Sequence, residues 1–199
     1  MSREIKFDGL PDRDLLSLVI GKQAARRLYS GSFTALFDEW AEESKHHVRL
    51  FAARELIKRA LEETLRDGPV LSSPNAVQDY LRIHFMGQEH ESFVVLFLDS
   101  RNCLIAAEDL FRGTVDQTVV FPREVVKRVL YWNAVAIVVA HNHPSGSAEL
   151  SVMDRFLTQT LDEVLGLVKV RVLDHFVIAG NSVFSLAALA ERSSESNKD

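Results

Sequence analysis

The sequence predicts an α/β protein in which a small all-helical region precedes a largely buried sheet flanked by helices. Three observations carry that prediction. Apolar residues recur at helical spacing through residues 1–70. From residue 93 onward, apolar runs of strand length alternate with amphipathic stretches. The strongest run, Val135-Ala136-Ile137-Val138-Val139-Ala140, is apolar on both faces, as a central strand is.

Asp12 and Asp14 precede Leu15-Leu16-Ser17-Leu18-Val19-Ile20, a helix that Gly21 ends or bends. Short helices are expected at 24–29 and 33–40, and a longer one at 48–65 places Leu50, Ala53, Ile57, Ala60 and Leu61 on one stripe. Asp67-Gly68-Pro69 is a turn signal, so residues 1–70 form one region and 71–191 a second, with a polar tail at 192–199. A helix over 75–85 carries Val77, Tyr80 and Leu81 inward. Phe93–Leu98 and 104–107 form a hairpin across Asp99-Ser100-Arg101-Asn102, and Thr118-Val119-Val120-Phe121 reads as another short strand. Pro122 suits the first turn of a helix reaching Asn133. Beyond the central strand come a helix over 152–165 and strands at 168–173 and 176–179.

Of the 199 residues, 47% are apolar and 26% charged, enough for a sizeable core. The net charge is −5; Lys plus Arg equals Asp plus Glu, 12 each, in residues 1–72, so the acidic excess lies in 73–199. That balance argues against broad electrostatic docking on nucleic acid or on an anionic membrane. A single cysteine, Cys103, excludes an intramolecular disulfide; it reads as a strand residue. The start lacks the basic-then-apolar pattern of a secretory leader, and no apolar run is long enough to span a bilayer, so a cytoplasmic location is expected.

The chemistry lies in His141-Asn142-His143-Pro144, followed after six residues by Ser151-Val152-Met153-Asp154. In extended backbone, residues i and i+2 share a face, about 6.6 Å apart, so two imidazoles can converge on one metal ion at bonds of about 2.0–2.1 Å. Pro144 and Gly146 turn the chain, and Ser151 is a helix N-cap candidate that puts Asp154 in the first helical turn, where the helix dipole favours a carboxylate. Two nitrogens and one carboxylate leave a fourth position open for water, the donor set of a catalytic zinc site. The same donors also describe a non-haem iron site.

These residues resemble the JAMM signature of MPN-domain metalloproteases, and HNHPSG followed by S-x-x-D is similar to the bacterial RadC family. The similarity runs through FVVLFLDSRNCLIAAEDLFRGT, FPREVVKRVL and VKVRVLDHFVIAG, over roughly residues 70–185. The resemblance implies a cytidine-deaminase-like MPN (JAB) domain and one zinc ion per chain held by His141, His143 and Asp154. It also implies an upstream glutamate as general base, matched by position at Glu91, and a serine that helps stabilise a tetrahedral intermediate, matched at Ser151. Glu89 lies two residues from Glu91 and is the alternative base. The implied activity is hydrolysis of a peptide or isopeptide bond in a protein or peptide substrate. The alternative is a DNA-repair-associated accessory protein whose metal site is structural or regulatory.

Two departures stand out. Leu150 replaces the proline that relatives place before the motif serine, which leaves the ligands unchanged. The stretch Glu42-Glu43-Ser44-Lys45-His46-His47-Val48 has no glycine where the family has a Gly-x-Gly turn of a helix-hairpin-helix, so weak DNA binding is expected. Among the remaining histidines, His175 reads as a hydrogen-bonded core residue, His46 and His47 as solvated, and His84 and His90 as loop-exposed.

Overall fold

The computed structural model describes residues 7, 9–33, 35–38, 45–72, 74–114, 119–147 and 151–189. The expectations on residues 42–44, Thr118, Leu150 and the tail 192–199 lie outside the described residues. The chain divides into two compact units, Met1–Ile57 and Lys58–Asp199.

The first unit is helical: α1 (Asp12–Ile20), α2 (Lys22–Leu28), α3 (Ala35–Asp38) and the first part of α4 (Lys45–Asp67). Gly21, at φ 90°, is the single residue between α1 and α2, a conformation that glycine takes without a Cβ penalty. Leu16, Ile20, Ala24, Ala25, Leu36 and Leu50 form its core. His47 is buried rather than solvated, at 8% exposure, because it falls on the same side of α4 as Leu50, three residues on.

The second unit holds the remainder of α4, then α5 (Pro74–Phe85), β1 (Ser92–Leu98), β2 (Leu104–Arg112), α6 (Pro122–Tyr131), β3 (Ala136–His143), α7 (Val152–Gly166), β4 (Arg171–Ala179) and β5 (Ser182–Ser185). The strands form one five-stranded mixed sheet in the order β2-β1-β3-β4-β5. Pairing is antiparallel except between β3 and β4. A parallel pair needs a crossover, and α7 supplies it. The β1–β2 turn is set by Asp99, whose carboxylate accepts from the amides of Arg101 and Cys103, with Asn102 at φ 60°.

Strand alternation sorts the core into two layers. On one face Val94, Leu96, Leu98, Val138 and Ala140 pack with Val77, Tyr80 and Leu81 of α5. On the other, Phe93, Val95, Phe97, Ile137 and Val139 pack with Val125 and Val129 of α6 and Leu161 and Leu165 of α7. Both faces of the sheet are covered, which is why β1 and β3 read as unbroken apolar runs. Parity continues past Val139, so His141 and His143 belong to the α7 face.

Three expectations need correction. Val119–Phe121 is not a strand: Val119 and Phe121 are exposed, and Phe121 is the cap residue of α6. The two strands expected at 168–173 and 176–179 are one, β4. Asp174-His175 interrupts the apolar pattern, yet Asp174 accepts bonds from the amides of His175 and Ala187 and from Ser185 Oγ, so the polar pair is satisfied and the ladder continues. His84 is on α5 and buried, with Nε2 at 2.9 Å from Asp109 Oδ1 of β2.

Candidate metal centre

β3 extends through the motif, so His141 and His143 leave its carboxyl end from alternate residues on one face. Their Nε2 atoms are 3.0 Å apart, and Asp154 Oδ1 lies 3.2 Å from His141 Nε2. All three donor atoms fall within 4.8 Å of one another. Bonds of about 2.05 Å at tetrahedral angles put donor atoms about 3.3 Å apart, so this spacing fits one zinc ion. The donors also face inward: His141 and Asp154 side chains are only 6% and 12% exposed.

The ring of His143 has one orientation. Its Nδ1 lies 2.9 Å from the carbonyl oxygen of Ser147. A carbonyl only accepts, so Nδ1 carries the proton and Nε2 presents its lone pair. The turn that brings Ser147 back is closed by Gly146 N–H donating to His143 O, with Gly146 at φ 74°.

Asp154 is held by the start of its own helix. Ser151 and Asp154 form a reciprocal capping box: the Asp154 amide donates to Ser151 Oγ, while the Ser151 amide and hydroxyl both donate to Asp154 Oδ2, each at 2.8 Å. Oδ2 is therefore occupied, and Oδ1 is the oxygen turned toward His141. Burial pushes the Asp154 carboxyl up, but the His141 ring beside Oδ1 and the hydrogen bonds from Ser151 outweigh it and hold the group well below the ordinary carboxylate range. Ser151 thus steadies the carboxylate; stabilising a developing oxyanion requires its hydroxyl to turn away from Oδ2.

Glu91 precedes β1. Its amide donates to Thr114 O and its carbonyl accepts from Gly113 N, which carries the β1–β2 ladder one step further. The last β1–β3 pair is Phe93 with His141, and beyond it the Asn142 side chain, not backbone pairing, joins the Glu91 segment to β3. Glu91 is half-buried; Glu89 is exposed and outside any ladder.

Two site residues escaped the sequence reading. Asn142, between the ligands and of opposite parity, is 4% exposed. Its Oδ1 accepts from Ser92 N and its Nδ2 donates to His90 O, so it clamps both neighbours of Glu91. Continuous extended backbone through H-N-H was the signal that could have found it. His175 was read as a core histidine and is one, fully buried, but its Nε2 lies 2.8 Å from His141 Nδ1. Burial, aided by the neighbouring His141, pushes its pKa down to about 3.

A metal-competent triad at the end of a central strand, on a mixed sheet with helices over both faces, defines an α/β domain of the JAB type. The family model for the RadC-like JAB domain matches residues 71–192, and the chain belongs to the RadC family. A UPF0758 protein of Acidovorax sp. (strain JS42) is 56% identical over 138 residues, covering 69% of this chain and 58% of that protein. A UPF0758 protein of Janthinobacterium sp. (strain Marseille) is 45% identical over 196 residues, covering 89% of this chain and 88% of the relative. One from Nitrosomonas eutropha (strain DSM 101675 / C91 / Nm57) is 53% identical over 139 residues, 70% of this chain and 62% of that protein. The chain thus matches 58–62% of the length of two of these three relatives. Among the described residues no helix is long and apolar enough to cross a membrane.

Proposed function

We propose that this chain is a zinc-dependent hydrolase that cleaves a peptide or isopeptide bond in a protein or peptide substrate and works in the cytoplasm. The observation that carries the proposal is the convergence of His141, His143 and Asp154 donor atoms within 4.8 Å of one another, with His141 Nε2 at 3.0 Å from His143 Nε2 and 3.2 Å from Asp154 Oδ1. Three protein donors leave a position for water or substrate.

His141, His143 and Asp154 would hold the zinc, which would supply Lewis acidity toward a water and a scissile carbonyl near neutral pH. Glu91 takes the proton of the attacking water and delivers it to the leaving amine, as general base and then general acid. The support for Glu91 over Glu89 is its ladder-fixed backbone and its place two residues ahead of Phe93, which pairs with His141. Ser151 keeps Asp154 in place, and its hydroxyl is the nearest side-chain donor to the carboxylate ligand.

Metal analysis of the purified protein beside Asp154→Ala tests the reading, followed by a screen of peptide and isopeptide substrates. About one zinc per chain in the wild type, lost in the variant together with hydrolysis, is the expected result. Copurified iron, or no metal after loading, refutes the zinc assignment. Zinc binding without hydrolysis of any peptide or isopeptide bond, accompanied by salt-sensitive DNA binding, favours the accessory-protein alternative.

A further inference from the structure

Behind His141 runs a chain of hydrogen bonds that leads back to the helix carrying the third ligand. His141 Nδ1 faces His175 Nε2 at 2.8 Å. His175 Nδ1 faces Thr158 Oγ1 at 2.6 Å. Thr158 Oγ1 reaches the carbonyl oxygen of Asp154, four residues earlier on α7, at 2.7 Å. The series starts at a ligand on β3, passes through β4, and ends on the backbone of the ligand on α7.

We propose that Thr158 and His175 are positioning residues that fix His141 as a metal ligand by holding its proton on Nδ1. The inference rests on the reading of this site as a zinc site. Each link carries one proton, so its direction is all or none. When His141 Nε2 binds metal, the proton is on Nδ1 and is donated to His175 Nε2. His175 must then carry its own proton on Nδ1 and donate it to Thr158, whose hydroxyl proton goes to the Asp154 carbonyl. That carbonyl can only accept, so the terminus of the chain favours this direction. In the reverse direction Thr158 donates to His175, His175 donates to His141 Nδ1, and His141 Nε2 bears a proton that blocks coordination. His143 needs no such relay, because the Ser147 carbonyl alone sets its tautomer.

The relay also explains why a histidine is fully buried among Phe93 and His141, with ring centroids 5.9 and 4.9 Å away. Phenylalanine would fill the space without a polar penalty. Outer-shell partners of ligating histidines change metal affinity by roughly 10–100-fold when removed.

The test uses the full chain and zinc alone. Zinc affinity is measured by competition with a chromophoric chelator for wild type, Thr158→Val and Thr158→Ser, alongside the melting temperature of each zinc-free protein. Thr158→Val keeps the shape and removes the acceptor, and it should bind zinc roughly 10–100-fold more weakly. Thr158→Ser keeps the hydroxyl and should restore affinity to within about threefold of wild type, a change smaller than that range. Thr158→Val with wild-type zinc affinity, whether or not its melting temperature falls, overturns the proposal. Nitrogen-15 spectra of the zinc-loaded wild type give a readout that needs no variant: His175 should be the Nδ1–H tautomer, and a proton on its Nε2 refutes the relay. A wild type that binds no zinc sinks the proposed function itself, whereas zinc binding indifferent to Thr158 sinks only the relay.

Discussion

Replacing Asn142 by alanine separates the segment that presents Glu91 from the metal ligands. Ser92 is 3% exposed, and its amide points to the β3 side, where the ladder's backbone acceptors have run out; Asn142 Oδ1 takes their place at 2.8 Å. Removing that oxygen leaves a buried N–H unpaired, at about 1–3 kcal/mol, and the lost bond to His90 O adds about 1 kcal/mol. The sum is about 3 kcal/mol, which for a chain of this size corresponds to roughly 6–12 °C in melting temperature. The zinc-free protein is melted first, so that metal binding does not mask the loss. Hydrogen exchange then locates it: the amides of residues 91–93 should lose protection while those of β4 keep it. Zinc content should stay near that of wild type, because His141, His143 and Asp154 keep their own partners. Hydrolysis should fall, because Glu91 loses the fixed backbone on both sides. Asn142→Ala melting within about 2 °C of wild type refutes the accounting. Loss of zinc in parallel shows that Asn142 supports the ligands rather than the Glu91 segment.

Glu91→Gln should retain zinc and lower hydrolysis by roughly 10²–10⁴, the usual contribution of general acid–base catalysis, while Glu89→Gln should be near neutral; the opposite pattern moves the base to Glu89. Zinc at 100 times its dissociation constant should stabilise the wild type by about 2.7 kcal/mol, read as a higher melting temperature that chelator reverses and that Asp154→Ala lacks. Glu108, whose carboxylate accepts from Arg128 and from Trp132 Nε1, is held below its ordinary value of 4.5 chiefly by the Arg128 bond, against the opposing effect of burial. A depressed folded value means stabilisation that is complete above the ordinary value and is lost as pH falls through the lowered one, so the gap in urea midpoint between wild type and Glu108→Gln should shrink below pH 4.5. A gap that is constant with pH would mean that the Glu108 charge contributes nothing. DNA binding by the full chain should be weak; a submicromolar affinity at physiological salt that falls steeply with added salt contradicts this.

The order of elements was legible because the sheet is covered on both faces, which turns β1 and β3 into runs that no amphipathic pattern imitates. The spacing of the triad was legible because it depends only on strand parity and on a cap, both local properties. What sequence could not show is what depends on register between strands. His84 was assigned to a loop because nothing local pairs it with Asp109, 25 residues away. Asn142 drew no role from sequence because its partners lie 50 and 52 residues upstream. The strand expected at Thr118–Phe121 had the right composition and lacks a ladder among the described residues, a reminder that β-propensity describes fit to a surface that must exist.

Asp154 shows why fold and site are hard to separate here. A carboxylate has two oxygens, and the capping box uses one of them. With Oδ2 bound to the amide and hydroxyl of Ser151, the plane of the group is set, and Oδ1 is turned toward His141. The box in turn fixes where α7 begins, and α7 is the crossover that lets β4 lie parallel to β3. The backbone carbonyl of the same residue accepts from Thr158, which faces His175 on β4. One residue therefore starts the helix, turns an oxygen toward His141, and anchors the hydrogen bonds behind that histidine. Preorganisation follows from that overlap: the donor atoms converge because interactions needed by the βαβ unit already hold them there. A folded chain in which α7 started one residue later would carry Asp154 about 100° around the helix and lose the ligand while keeping the sheet.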